Sequence, residues 1–252
     1  MAQLLVNGLV TGLIVALPAL ALSLTFGILR FPNFAIGAML TAAAYLAWVL
    51  NFYGGVPLVA AALFTVVLFP LVALACDAAV FRPLRDRGPI TLLVASMGLS
   101  FVLENLCRLM FGNEARNFDM ALTRPYRVMG VRINFEQILT AGVSIGAMVL
   151  VYVILIHSPL GRAMRAMSDN PTLAAARGIE ATRVVSLTWL LAGALTAAAG
   201  ILIGLDRAID PQLGWNYIIV CFAAAVVGGL GSAAAMSGAD LGSPPIPFFA
   251  LL

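Results

Sequence analysis

The sequence predicts an all-α fold, a polytopic bundle of about seven transmembrane helices, and three observations lead there. Hydrophobic residues make up 62% of the 252 positions and charged residues only 10%, against roughly 25% charged in an average soluble domain. The apolar residues fall in runs, several of them as long as the roughly 20 helical residues needed to cross about 30 Å of hydrocarbon. The charges collect in the short segments between those runs. Backbone groups in lipid must bond within their own segment, so the runs are read as helices. None of them has the alternating ten-residue pattern of an outer-membrane strand.

The first span is expected over residues 4–29. The first charge is Arg30, so no basic stretch precedes the apolar run, which is also longer than the core of a cleavable signal peptide; it is read as a retained span. Pro18 lies inside it and Pro70 inside the third span, 56–80. Each removes one helix bond and favours a kink of the kind that often lines a pathway. The second span, 34–51, follows the break at Asn33 and Phe34. Irregular backbone at membrane depth is tolerated beside a cavity, so Asn33, Phe34 and Pro18 are candidates for a solute path, the alternative for the first two being a plain turn outside the membrane.

The fourth span, 89–111, carries Glu104 and Arg108, four apart on one face, where each can neutralise the other. Asp77 near the end of the third span has Arg82 and Arg85 within reach and invites the same reading. The fifth span, 134–157, and the glycine- and alanine-rich sixth, 184–205, precede a seventh at 215–232. The pairs Gly8/Gly12, Gly142/Gly146 and Gly200/Gly204 have the spacing that lets helix backbones approach closely. Residues 184–205 are assigned to the bundle interior.

Orientation follows from charge. If the spans alternate, the loops after the first, third and fifth carry eight arginines and the opposite loops five. The positive-inside bias then puts the 158–183 segment in the cytoplasm and the N-terminus outside. The net charge of +3 arises from these loop arginines, so no nucleic-acid partner is expected; the lipid bilayer is.

All fourteen basic residues are Arg, and the absence of Lys excludes a P-loop lysine, a Schiff base or a Ser-Lys dyad. Cys76, Cys107 and Cys221 stand singly in apolar runs, and His157 is the only histidine. Neither a metal site nor a catalytic centre is expected, and an intramembrane enzyme is the weakest reading.

The most informative segment runs from Ser158 to Glu180. Asn170 suits a helix N-cap, Pro171 the first helical position and Gly178 the residue just past the end. The spacing predicts a short helix over 171–177 between two spans. Two turns do not hold together alone in water, so this helix needs a surface to pack on, either its own bundle or a partner protein.

Four blocks carry a resemblance. They are Asn7-Gly-Leu-Val-Thr-Gly-Leu13 with the stretch from Ala19 to Gly37, the 161–180 loop, the Arg183–Leu205 span, and Val227-Gly-Gly-Leu-Gly-Ser232. In this order they resemble the branched-chain amino-acid ABC permeases, the Liv-type inner-membrane subunits. The resemblance implies a permease domain over residues 1–232 of the bacterial inner membrane, moving branched-chain or related amino acids by alternating access. The partners it implies are ATP-binding cassette subunits, a second permease subunit, identical or homologous, and a periplasmic substrate-binding protein. It also implies that the loop is a coupling loop docking the ATPase, with Arg162, Arg165, Asp169, Asn170, Leu173, Arg177 and Gly178 as its residues. No cofactor is expected on this chain, ATP being used by the partner subunit.

The sequence departs from the family pattern at Ile36, where a polar residue such as His is usual. It departs again over 233–252, where Pro244, Pro245 and Pro247 stand in place of a further apolar span. That tail is expected to be truncated or frame-shifted. A different class, an ion-coupled secondary transporter of small polar solutes, would use Glu104 or Asp77 to carry protons or bind sodium.

Overall fold

A computed structural model of the chain describes residues 2–118, 126–128 and 131–229; the tail expected to be atypical, 233–252, lies outside the described residues. Nine α-helices are described. Six are long and apolar enough to cross a membrane: α1 (Ala2–Leu29), α2 (Ala35–Phe52), α3 (Leu58–Cys76) with its continuation, α4 (Pro89–Phe111), α5 (Phe135–His157) and α8 (Ala181–Asp206). The expected seventh span is α9 (Leu213–Val227), apolar but only 15 residues long, which is about 22 Å of helix. The remaining two, α6 (Pro159–Asp169) and α7 (Pro171–Ala176), lie between α5 and α8. One antiparallel ribbon, β1 (Tyr126–Val128) with β2 (Val131–Ile133), interrupts the all-α bundle.

The burial pattern is that of a protein whose outside is apolar. Leu63, Phe64 and Val67 on α3, Val102 and Leu109 on α4, and Leu150 and Val153 on α5 all face outward. Exposed apolar surface on this scale is untenable in water and natural in lipid or against another subunit. The chain is a multi-pass membrane protein.

The core lies where α8 is wrapped by α1, α2 and α3. Small residues permit that closeness: a side chain at Gly200 would collide with the α2 backbone at Leu40, and one at Gly193 would press on Pro70 and Ala73 of α3. The sixth span is thus interior, as its composition suggests. The other two glycine pairs behave differently. Gly8, Gly12, Gly142 and Gly146 face open space among the described residues.

Contacts at the two ends confirm that the spans alternate. Arg30, after α1, reaches Ser168 of α6. At the opposite end Arg116 and Ile209 exchange backbone hydrogen bonds of 2.9 and 2.7 Å, joining the segments after α4 and α8. Gln137 at the start of α5 donates to Asn7 at the start of α1.

The third span ends differently from the expected plain helix to residue 80. After Cys76 it widens into a π-helical turn, Asp77–Phe81, then tightens into a 3-10 helix, Arg82–Arg87, that stops at Gly88. The widened turn carries two buried side chains. Phe81 packs between Phe31, at 5.5 Å between centroids, and Trp189 of α8, at 5.1 Å. Asp77 receives both of its hydrogen bonds from Arg85, at 2.6 and 2.5 Å, which settles which of the two candidate arginines is its partner.

Candidate functional site

The α6–α7 segment is built by two successive caps. Ser158 accepts from the Gly161 amide at 3.1 Å and Pro159 opens α6. Asn170 then closes α6 through its own amide, which donates to Ala166, and opens α7 by accepting from the Leu173 amide at 3.0 Å. Gly178, at φ +82°, ends the segment in the left-handed region that glycine adopts without strain. The short helix therefore falls where the sequence places it, ending at Ala176. The preceding helix α6 was not anticipated, although Ser158-Pro159 is the same cap-and-first-position signal as Asn170-Pro171.

One face of α6 is inward, with Gly161, Met164 and Met167 buried. Arg162, Asp169, Asn170, Leu173, Arg177 and Gly178 are all exposed on the outer side of the segment. Leu173 is 58% exposed, an apolar side chain presented by a two-turn helix. Arg165 differs from the other six candidates: it is half-buried and donates to the Leu155 carbonyl of α5 at 2.7 Å.

The segment is fastened to the bundle at its far end too. Arg30 Nη2 donates to the Ser168 carbonyl at 2.8 Å, satisfying one of the last carbonyls of α6, which have no partner within the helix. Arg30 holds φ +54°, the one non-glycine residue at positive φ among those described, and such a conformation is uncommon for a residue with a Cβ.

Arg30 also begins the break between α1 and α2, and this break is buried. Phe31 and Asn33 have no exposed surface. The Phe34 amide donates to Ser96 of α4 at 3.2 Å, and its ring lies 4.7 Å from Phe222 of α9. Asn33, one residue before the N-cap of α2, accepts from the Ala35 amide at 3.1 Å, while its Nδ2 is buried without a partner. Because Ser96 stands seven residues into α4, the break sits about 10 Å inside that helix end. It is a break packed among the helices of the bundle.

Beside it lies a narrow cleft, open on one side and with about 10 Å³ of room, between α2, α4 and the start of α9. Phe34, Thr41, Ser100, Glu104, Trp215 and Ile218 are among its walls. At its floor the backbones of α2 and α9 nearly touch: a Cβ on Gly37 would lie 2.6 Å from the Gly214 carbonyl. Thr41 Oγ1 accepts from the Gly214 amide across the same crossing at 2.8 Å. Of the three path candidates, Phe34 lines this cleft and Asn33 adjoins it in sequence, whereas Pro18 is buried in α1 and lines neither this cleft nor the apolar gap beneath α6.

Glu104 and Arg108 form the expected pair at 2.6 Å, with Glu104 14% and Arg108 33% exposed. Among the described residues no group of three or more His, Cys, Asp or Glu is placed to hold a metal ion, and the three cysteines are free.

Comparison with known proteins agrees with this architecture. The family described as "Branched-chain amino acid transport system / permease component" matches residues 4–244. The chain is 30% identical to the high-affinity branched-chain amino acid transport system permease protein BraD of Pseudomonas aeruginosa, over 95% of this chain and 82% of that one. It is 29% identical to the permease protein LivH of Escherichia coli over 91% of this chain and 79% of LivH. A shorter stretch, 33% of the chain, is 38% identical to the ribose import permease protein RbsC of Bacillus subtilis. No solved structure matches the chain. With a bundle of six long apolar helices and one shorter, a capped loop between α5 and α8, and a family match along most of its length, the chain belongs to the permease components of branched-chain amino acid transport systems.

Proposed function

We propose that this permease is the membrane-spanning subunit of an ATP-driven importer of branched-chain or related amino acids in a bacterial inner membrane. A separate ATPase docks on the exposed face of α6–α7. The observation that carries the reading is that the loop is a doubly capped, outward-facing pair of helices fastened by Arg30 and Arg165 to the ends of α1 and α5. A segment built only to connect two spans needs neither the caps nor the ties. A rigid one can pass a push from outside the membrane through the exposed Arg30 to buried Phe31 and Asn33 and the adjoining cleft.

ATP is hydrolysed on the partner, since a chain without lysine has no phosphate-cradling P-loop, and this chain carries no cofactor of its own. A second permease subunit covers part of the outward apolar surface, and a periplasmic binding protein delivers the solute. The names of BraD and LivH support the substrate class. The arginine count supports a cytoplasmic α6–α7.

Reconstitution of the chain with its ATPase, second permease subunit and binding protein tests the proposal. Labelled leucine should enter proteoliposomes only with ATP on the α6–α7 side. Uptake that follows a proton or sodium gradient without ATP would replace this reading with an ion-coupled transporter.

A further inference from the structure

The α2–α4–α9 cleft has an unequal distribution of chemistry. Phe34, Trp215 and Ile218 give it apolar and aromatic walls. Its two hydroxyls are already engaged: Thr41 donates to the Gly37 carbonyl and accepts from the Gly214 amide, and Ser100 donates to the Ser96 carbonyl. Among the described residues, Glu104 is the one charged side chain that lines it.

A carboxylate has room for about four hydrogen bonds, and Arg108 supplies one, to Oε1. That bond gives the half-buried carboxylate a counter-charge, where an unpaired buried charge would be costly. It also leaves acceptor capacity toward the cleft. The group that matches a carboxylate in a cleft with aromatic side chains in its walls is an ammonium, which donates charge-assisted hydrogen bonds and is attracted by ring faces.

We propose that Glu104 binds the ammonium group of the solute in this cleft, so that the permease itself, and not only its binding protein, selects solutes that carry a protonated amine over amides, urea or anions. This rests on the importer reading for the direction of travel alone. Arg108 is a positioning residue that holds the carboxylate in place. In this conformation the cleft has only about 10 Å³ of room, against roughly 300–1,000 Å³ for ordinary ligand pockets, so it must widen to admit a solute.

The test uses the full chain in lipid nanodiscs, with Cys76→Ala, Cys107→Ala, Cys221→Ala and Trp215→Cys. Modification of the new thiol by a trimethylammonium methanethiosulfonate is compared with modification by its sulfonate counterpart. The cation should be favoured, and Glu104→Gln should cut that preference roughly tenfold, as one unit charge acting over a few ångström would. Arg108→Gln should leave it intact or raise it, and Glu104→Asp should retain it even if Glu104→Gln folds poorly. 3-Methylbutylamine and L-leucine should protect the thiol, and 3-methylbutanamide should not.

A preference unmoved by Glu104→Gln, equal losses in the Glu104 and Arg108 variants, or protection by the amide as good as by the amine would overturn the assignment. The labelling needs neither ATP nor an ATPase. Failure of ATP-driven uptake with these results intact would therefore remove the importer and leave the site.

Discussion

Arg30, in the break between α1 and α2, donates to the carbonyl of Ser168, 138 residues later, at 2.8 Å. The bond joins the last turn of α6 to the stretch of backbone that continues through Phe31 and Asn33 into the cleft at Phe34. Movement imposed on α6–α7 has in Arg30 a direct route to the break. The bond lies at the surface, where such interactions contribute little to stability, about 0–1 kcal/mol.

Arg30 therefore separates coupling from folding. Arg30→Gly removes the side-chain bond but also relieves the positive φ, which glycine accepts at no steric cost. Thermal stability should hold or rise slightly, while leucine transported per ATP hydrolysed falls several-fold. A drop in melting temperature with unchanged coupling would reverse the assignment.

Asn170 tests the docking helix itself. Asn170→Ala removes the cap that starts a six-residue helix, worth about 1 kcal/mol locally, and so short a helix has little else to sustain it. The bundle's melting temperature should barely change, but association with the ATPase should weaken and Asn170→Asp should preserve it. Pull-down of the ATPase with each variant measures this.

Gly214 tests the α2–α9 crossing. A methyl group there would overlap the Gly37 carbonyl and crowd Thr41, backbone that cannot swing aside, so Gly214→Ala should destabilise by about 1–3 kcal/mol. Gly142→Ala, which meets open space, is the control and should fold like the parent chain. Melting of the two variants in detergent compares them directly.

Asp77 and Arg85 test the widened end of α3. Asp77 is almost wholly buried and takes both hydrogen bonds from Arg85. Breaking a buried pair by neutralising one partner costs roughly 3–5 kcal/mol, so Asp77→Asn should melt well below the parent chain. Asp77→Asn with Arg85→Gln should recover part of the loss, because no charge is then stranded. Equal melting of the single and double variants would show that the pair is not what holds this turn.

Much of this arrangement was legible in the sequence because the signals were local. Asn170, Pro171 and Gly178 specify a helix start and stop through bonds within a few residues of each. The interior position of α8 followed from its own small residues. What was not legible depends on distant partners. The two other glycine pairs read the same as Gly200/Gly204 yet meet nothing among the described residues, since spacing does not say which face finds a neighbour. The π-helical turn carries Phe81, which packs between Phe31 and Trp189, residues remote from it in sequence. The cleft likewise assembles from three helices, and its carboxylate was legible as half of an i, i+4 pair or as an ion-carrying group, not as part of a cleft wall.

The central claim, that α6–α7 is the seat of a nucleotide-hydrolysing partner, is tested most directly at Leu173, the exposed apolar residue of α7. With a photoreactive residue placed at position 173 in cells, light should join the chain to one protein, an ATPase carrying a P-loop lysine, and the yield should change between ATP-bound and nucleotide-free conditions. Crosslinks confined to this chain, or labelling of that position by a membrane-impermeant reagent added outside the cell, would contradict it.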